Sequence, residues 1–294
     1  MNERTLMTNF MLQRQAAGLA ETTLASYRFA LKDYWQYLCR SGLSMATQET
    51  VRDYLIYLQG KRYSVATIRD KWRVLHAYYQ YCETQGLRDN PLQGLQTPPR
   101  NKVHARTFSV AEVQSILSYY YGKDDFCSVR DHAIMCLLLG TGMRRSELLG
   151  ITRIEGDFIS VVGKGNKLRN IPVSASLRSS LKRYTEMRAS VAHCPYYIIT
   201  KDGSRMTVGG LRSVFRRLSE GTGISGKRFS PHTFRHTYAT ESLKNGMDIA
   251  SLQRVLGHSD IATTAIYLTW DDDAAKDANE KSNPLNSFFG KYVI

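Results

Sequence analysis

Six side chains suited to handling a phosphate ester lie between residues 141 and 267 of the sequence. They are two arginines, a lysine, two histidines and a tyrosine, namely Arg144, Lys164, His232, Arg235, His258 and Tyr267. Guanidinium, ammonium and imidazole groups can bind phosphate oxygens and stabilise the negative charge that grows when a phosphodiester is attacked. A tyrosine hydroxyl can make that attack and form a covalent intermediate. Together these residue types predict phosphoryl transfer that needs no metal ion.

Two of the segments that carry these residues read as helices. Arg144 and Glu147 follow a Gly-Thr-Gly turn at a spacing of three, which puts them on one helix face. The same spacing is also common in ordinary surface ion pairs. His232 and Arg235 share a helix face just after Pro231, where the helix N-terminus favours an anion.

The other two segments require a turn and a break. Lys164 lies between the β-rich runs FISVV and RNIPV, which predicts a hairpin with this lysine at its tip and Lys167 as the alternative. His258 and Tyr267 are nine residues apart, so one continuous helix would place them on nearly opposite faces. We therefore expect the helix to end at Gly257 and a new one to begin, so that both side chains can face one site.

The elements around these segments divide the sequence into four parts. Apolar residues at spacings of three and four predict helices through 23–39, from Thr47 onward and through 64–82. Ser109 and Glu112 form a capping box at the start of a later helix. We predict a helical domain at 1–95, an extended linker with two consecutive prolines at 96–106, a domain of mixed α and β structure at 107–270 in which helices dominate, and a C-terminal tail at 271–294.

The charge of the chain indicates a polyanionic partner. The formal net charge is +14 and the sequence pI is about 9.6, and residues 99–270 hold 25 basic against 13 acidic side chains. Clustered cations gain affinity by displacing counterions from nucleic acid phosphates. The candidate DNA contacts are Arg28, Lys32, Arg69, Lys71 and Arg73 on the first and third predicted helices, and Lys167, Arg169 and Arg228 in the second domain. For the first group, a solvated face over an aromatic core is the alternative.

Other composition features exclude several classes of protein. Five scattered cysteines without a Cys-x-x-Cys pair argue against a disulfide framework and a zinc ribbon, and no metal site is expected. The longest apolar run, 133–140, is too short to span a bilayer, and no secretory signal is recognisable. A cytoplasmic location is therefore expected.

Taken in order, the segments TGMRRSE, GKGNKLRNIP, HTFRHTYAT and LGHSDIATTAIY resemble the successive boxes of the tyrosine recombinases, the family of phage integrases and Xer-type recombinases. The resemblance implies a helical, SAM-like core-binding domain followed by a catalytic domain of mixed α and β structure. It also implies a site-specific DNA recombinase that cleaves and rejoins strands through a 3′-phosphotyrosine, for integration, excision, transposition or resolution. No cofactor is implied.

The resemblance assigns a role to each of the six residues. Tyr267 would be the nucleophile, Arg144 and Arg235 would bind the scissile phosphate, and His232 would move a proton. Lys164 would protonate the leaving 5′ oxygen, and His258 would hold a phosphate oxygen. The partner would be double-stranded DNA with specific recombination sites, bound by a homotetramer across two sites through the C-terminal tails. In a bacterium the protein would be associated with the nucleoid.

Three other functions compete with this one. A type IB topoisomerase would use similar chemistry as a monomer, and a DNA-binding protein on the same fold would have no catalysis. A metal-dependent nuclease could use His232, His236 and His258, but the sequence lacks the clustered carboxylates expected of two-metal sites. The tail could also pack against its own chain instead of a neighbour.

Overall fold

A computed structural model describes residues 3–43, 46–99, 106–163, 168–191, 194–257 and 262–265 of the chain. The chain divides into two units, Met1–His104 and Ala105–Ile294. Of the helices in the described ranges, none is both long and apolar enough to cross a bilayer. The predicted tail at 271–294 lies outside the described residues, as do positions 100–105 of the predicted linker.

The first unit consists of helices, as the periodicity predicts. Its helices are α1 (Glu3–Ala16), α2 (Glu21–Arg40), α3 (Gln48–Gly60) and α4 (Val65–Thr84). Thr47 and Ser64 cap α3 and α4 by accepting hydrogen bonds from backbone amides three residues later. The three predicted helices are confirmed. Helix α1 was not predicted, since Leu6, Met7 and Phe10 make only a short apolar stripe.

The core of the first unit is rich in tyrosine. Tyr34, Tyr78 and Tyr79 are fully buried, and each phenol has a hydrogen-bonding partner, as buried hydroxyls require. Tyr78 donates to the Glu3 carboxylate at 2.7 Å, and Glu3 is itself buried and paired with Arg88. This buried carboxylate fixes the start of α1 against α4. The prediction that the aromatics of this segment form core is confirmed.

The structure corrects one of the predicted DNA contacts in this unit. Lys71 is 3% exposed, and its ammonium donates to Asp33 at 2.8 Å and lies 4.7 Å from the ring centroid of Phe29. A buried, paired ammonium cannot also face a phosphate in the solvent, so Lys71 is a core ion pair. Arg28, Lys32 and Arg73 are exposed, and Arg69 is half-buried and donates to the Pro98 carbonyl at 2.8 Å.

The second unit combines helices with a small sheet. Its helices are α5 (Val110–Ser118), α6 (Phe126–Thr141), α7 (Arg145–Leu148), α8 (Ala175–Ala189), α9 (Val208–Thr222), α10 (Pro231–Lys244), α11 (Ile249–Leu256) and α12 (Ala262–Ala265). Its strands are β1 (Ile154–Glu155), β2 (Phe158–Val162) and β3 (Leu168–Pro172). The capping box of Ser109 and Glu112 is present at the start of α5. The predicted class, mainly helical with a small sheet, is confirmed.

Helix α6 is the centre of the second unit. Its apolar residues point in all directions, and Ala133, Ile134, Met135, Leu137 and Leu138 are completely buried. Such a helix must be covered on several sides, and α5, α8 and α10 pack against it. Each fully buried leucine or isoleucine contributes roughly 1.5–3 kcal/mol of hydrophobic free energy. A rigid α6 therefore supports the turn that follows it, which carries Arg144.

The sheet is antiparallel with the order β1-β2-β3, and Ile159 of β2 pairs with Ile171 of β3. The first predicted hairpin strand, FISVV, is found at the predicted residues, and the second begins one residue earlier than predicted. The two-residue strand β1 was missed because it is too short to show alternation. The hairpin tip, with Lys164 and Lys167, lies outside the described residues.

Candidate active site

Arg144 is positioned by the tight turn between α6 and α7. Gly142 ends α6 in the left-handed region at φ 59°, and a Cβ atom there would lie 2.5 Å from Tyr238 Cδ1 and 2.9 Å from Leu256 Cδ2. Glycine is required on both counts. Arg144 follows as the N-cap of α7, in an extended conformation. It thus precedes the helix instead of lying within it, which differs from the prediction.

The predicted pairing of Arg144 with Glu147 is present, but it is not a surface ion pair. Arg144 Nη1 donates to Glu147 Oε1 at 3.0 Å, and the Arg144 backbone amide donates to Oε2 at 2.7 Å. The Glu147 side chain is completely buried, whereas 28% of the Arg144 side chain is exposed. The carboxylate therefore orients a guanidinium whose outer part remains accessible to a ligand.

Arg235 reaches the same region from α10. It is 4% exposed, and its Nη1 and Nη2 atoms donate to the carbonyls of Gly142 and Leu256, each at 2.8 Å. Gly142 is the residue that ends α6, and Leu256 is the last residue of α11. Arg235 thus joins the turn that carries Arg144 to the end of the helix that precedes His258.

His232 lies in the first turn of α10, after the Ser230 cap and Pro231. Burial lowers the pKa of its imidazole, and the positive charges of Arg235, Arg145, Arg144 and Arg228 lower the pKa further. The imidazole is therefore neutral near pH 7, which is the form that can accept a proton. The influence of four guanidinium groups also indicates that His232 lies within the positive field of the site.

Arg169, predicted to contact DNA, has a different environment. It lies on β3 with 14% of its side chain exposed, and its Nη2 donates to Glu147 Oε2 at 2.8 Å. Its Nη1 donates to the Val255 carbonyl at 2.8 Å. Arg169 is mostly buried and ion-paired with Glu147, so it is not the exposed cation that a DNA-contact prediction requires, and that prediction is wrong for Arg169. Arg228 is exposed, as a DNA contact would need to be.

Sequence reasoning missed how deeply Glu147 is involved in the site. Its carboxylate accepts from two arginines and one backbone amide, so it connects the start of α7 with β3. The available signal was a carboxylate three residues after Arg144, flanked by the apolar pair Leu148 and Leu149, which indicated a buried side. That signal does not identify Arg169 as the second partner.

Arg144, His232 and Arg235 thus converge on one region, whereas Lys164, His258 and Tyr267 lie outside the described residues. Gly257, immediately before His258, ends α11 at φ 63°, which confirms the predicted helix end. Arg144 Nη2 donates to the Gly257 carbonyl at 3.0 Å. Guanidinium groups near a neutral imidazole are chemically suited to bind a phosphate.

Comparison with known protein families identifies the chain. The model of the phage integrase family matches residues 106–273, and the model of the phage integrase N-terminal SAM-like domain matches residues 6–89. The chain belongs to the phage integrase family. This confirms the resemblance to tyrosine recombinases carried by the four segments. It also confirms the predicted architecture of a SAM-like helical domain followed by a catalytic domain of the tyrosine recombinase type.

Relatives of this phage integrase family chain match it along nearly its whole length. Tyrosine recombinase XerD of Rhizobium meliloti is 32% identical over 287 residues, which cover 91% of each chain. Tyrosine recombinase XerD of Halalkalibacterium halodurans is 31% identical over 270 residues, which cover 87% of this chain and 89% of the relative. A structure of the Tn1549 transposon integrase in complex with transposon right end DNA matches 96% of this chain and 99% of its own, with a TM-score of 0.78 at 22% identity. That structure supports the fold.

Proposed function

We propose that this chain is a site-specific DNA recombinase in which Tyr267 attacks the scissile phosphate and forms a 3′-phosphotyrosine. One observation carries the proposal: Arg144 and Arg235, from different elements, donate to the carbonyls of Gly257 and Leu256. Two phosphate-binding side chains are thereby fixed directly beside the backbone that leads into His258. Membership of the family supports the reaction class, and this geometry supports a phosphate site between the two arginines.

In the proposed mechanism, Arg144 and Arg235 bind the non-bridging oxygens of the scissile phosphate. Each would stabilise the additional charge of the pentacoordinate transition state, and no metal ion would be needed for that purpose. His258 would donate a hydrogen bond to a phosphate oxygen. Because Arg144 keeps an exposed portion while Glu147 holds its inner edge, it can meet a phosphate without losing its orientation.

Two proton transfers accompany the exchange of bonds. The Tyr267 phenol, with an ordinary pKa of about 10, must lose its proton as it attacks, and neutral His232 is suited to accept it. Lys164 would give a proton to the departing 5′ oxygen. One phosphodiester is exchanged for another, so the reversal rejoins the strands without nucleotide hydrolysis.

The experiment begins from a pool of nicked duplexes of random sequence, because it must first find the site. DNA that stays bound to the protein in denaturing detergent and EDTA is sequenced, and the recovered sequence is rebuilt with a nick beside the cleavage position. We expect a covalent adduct on the 3′ phosphate and a free 5′ hydroxyl on the other fragment. No adduct, an adduct that requires a divalent metal, or linkage to a 5′ phosphate would each refute the proposal.

The pH dependence of adduct formation tests the role of His232. The pKa of His232 lies below 6.5, so the neutral imidazole dominates at pH 6.5 and above. The rate should fall once the pH decreases below the pKa of His232. With subsaturating DNA, we expect the rate to fall by about tenfold per pH unit on the acid side. Besides the four arginines, His236 lies close enough to be influenced by the charge of His232.

Matched variants make this test specific to His232. The His232→Gln variant should form the adduct more slowly near neutral pH, and its rate should no longer fall at acid pH. His76→Gln, which changes an exposed histidine of the first unit, should show the same pH dependence of the rate as the unchanged protein. A fall in rate at acid pH that survives in His232→Gln would assign the proton transfer to another group.

Assembly and location complete the proposal. The substrate is double-stranded DNA, and we propose that four copies of the chain act together on two recombination sites. The protein would act in the cytoplasm, associated with the nucleoid in a bacterial host. A structure of a lambda integrase dimer bound to a COC′ core site, with a TM-score of 0.74, supports assembly of this fold on DNA. Sedimentation with one-site and two-site DNA measures the stoichiometry, and a monomer on two-site DNA would contradict it.

A further inference from the structure

The Arg169 guanidinium connects two parts of the second unit that are distant in sequence. One arm binds Glu147, which holds Arg144, and the other arm binds the Val255 carbonyl near the end of α11. Only 14% of the side chain is exposed. Burial and the charge of Arg144 lower the pKa of Arg169, while the Glu147 carboxylate raises it. Arg169 is therefore a mostly buried residue that binds other residues of the site, and it is not an exposed contact for DNA.

Glu147 transmits the position of Arg169 to Arg144. Its Oε2 atom accepts from both Arg169 Nη2 at 2.8 Å and the Arg144 backbone amide at 2.7 Å, while Oε1 accepts from Arg144 Nη1 at 3.0 Å. The buried carboxylate is thus held from two sides. A change in the Arg169 arm would remove one of the three hydrogen bonds that fix the carboxylate, so the Arg144 guanidinium would be held less firmly.

Arg169 is also one of three arginines that bind the carbonyl groups at the end of α11. The last carbonyls of a helix lack partners within the helix and carry the negative end of its dipole. Here three successive carbonyls each accept from a different arginine: Val255 from Arg169, Leu256 from Arg235 and Gly257 from Arg144. The donors come from β3, α10 and the start of α7, so three separate elements fix the direction in which the chain leaves α11.

Gly257 shows how closely Arg169 fits this helix end. A Cβ atom at position 257 would overlap Arg169 Nη1, and the position has φ 63°, where side chains are strained. The guanidinium therefore packs against a backbone position where only glycine leaves room. Gly257, which Arg169 packs against, immediately precedes His258 in the sequence.

We propose that Arg169 is a positioning residue for DNA cleavage, acting through Glu147 on Arg144 and through Val255 on the end of α11. The inference rests on the proposed function above and adds a residue that does not touch the DNA. One arm holds Arg144 in place through Glu147, and the other arm holds the end of α11. Small displacements of such groups slow a reaction strongly even when binding is preserved.

Arg169→Lys is the informative variant, because it keeps the positive charge but cannot bind two acceptors in fixed, divergent directions. Arg178→Lys is the control, since Arg178 is an exposed arginine of the same unit paired with Asp157. At saturating DNA, we expect Arg169→Lys to lower the first-order rate constant of adduct formation by about 10- to 100-fold, with DNA affinity preserved. Arg178→Lys should match the unchanged protein.

The rate constant of adduct formation and the fraction of protein that reacts distinguish a positioning role from a role in stability. A purely structural role would lower the melting temperature and the fraction of protein that reacts, while the reacting fraction kept its normal rate constant. A double-mutant cycle with Glu147→Gln tests the route: if Arg169 acts through Glu147, the combined loss should be smaller than the product of the single losses. A normal rate constant in Arg169→Lys, or independent losses in the cycle, would overturn the proposal.

Hydrogen exchange tests the same inference without DNA. Amides of residues 249–257 should exchange faster in Arg169→Lys than in the unchanged protein, whereas those of 65–84 in the first unit should not change. Unchanged exchange at 249–257 would refute the positioning role even if cleavage were slower. Failure of the unchanged protein to form any adduct would instead refute the proposed function, so the two failures are distinguishable.

Discussion

The Tyr267→Phe variant is expected to form no covalent adduct with DNA, while its DNA affinity stays that of the unchanged protein. The substitution removes one hydroxyl group and leaves the ring, so the loss is confined to the nucleophile. Without it, the remaining rate is that of adventitious attack, and we expect a loss of at least about 10⁴-fold, as for removal of other catalytic nucleophiles. Detergent-resistant adduct on the nicked duplex is the measurement.

Mass spectrometry of the adduct gives the attachment site directly. Trypsin cuts after Arg254 and Lys276, and the peptide 255–276 contains Tyr267 as its single tyrosine. Tyr121→Phe is the matched control, since Tyr121 is a 74% exposed tyrosine of the same unit. It should form adduct normally. Adduct retained in Tyr267→Phe, or linked to a different peptide, would remove Tyr267 from the mechanism.

The local elements could largely be predicted because their signals are local. The caps at Thr47 and Ser109, the glycine at 257 and the β-rich run at 158–162 are each recognised from residues within a short stretch of sequence. Helix α1 could not be recognised in the same way. It is stabilised by burial of Leu6, Met7 and Phe10 and by the Glu3 carboxylate, which accepts from tyrosines of α4, and no pattern within residues 3–16 indicates partners so far along the chain.

The site residues show the same contrast between what a sequence pattern predicts and what tertiary contacts decide. Arg144, His232 and Arg235 were predicted to share a site because a family pattern fixes their order, and they do lie in one region, while the environments of Lys71 and Arg169 were predicted wrongly. Whether a cation faces solvent or an internal carboxylate depends on tertiary contacts, and both Asp33 and Glu147 are supplied by another element. A count of basic residues therefore predicts a positive field better than it identifies which cations make it.

The two errors have different consequences for function. Lys71 is bound to Asp33 within the first unit, so its charge stabilises that unit and contributes little to DNA contact. Arg169 lies among the residues that hold the phosphate site, so removing it from the DNA surface brings it closer to the chemistry. A basic residue next to a catalytic segment can thus act as support for that segment.

Arg235→Lys is expected to slow adduct formation by about 10²- to 10³-fold, the usual loss when one donor to a transition-state oxyanion is removed. Arginine at this position spans the Gly142 and Leu256 carbonyls with its two terminal nitrogens, each at 2.8 Å, and a single ammonium cannot reproduce that fork. The charge remains, so DNA affinity should change far less than the rate constant. Single-turnover kinetics on prebound DNA measures the effect.

Arg130→Lys provides a control matched in burial. Arg130 is 5% exposed, lies on α6, donates to the Ile199 carbonyl and pairs with Asp131, and has no place in the proposed mechanism. Both variants leave a buried carbonyl poorly satisfied, which costs about 1–3 kcal/mol of stability. Both should therefore melt at a lower temperature, but only Arg235→Lys should have a lower rate constant. Equal rate constants in the two variants would reduce Arg235 to a structural residue.

A substrate with altered charge then tests what Arg235 does to the phosphate. Replacing one non-bridging oxygen of the scissile phosphate by a methyl group removes the negative charge that the guanidinium is proposed to stabilise. On this neutral substrate, the difference between the unchanged protein and Arg235→Lys should shrink by at least about tenfold, because only the charged transition state gains from the arginine. If the difference stays the same on both substrates, Arg235 acts by holding Gly142 and Leu256 in place, and the phosphate is stabilised by other groups.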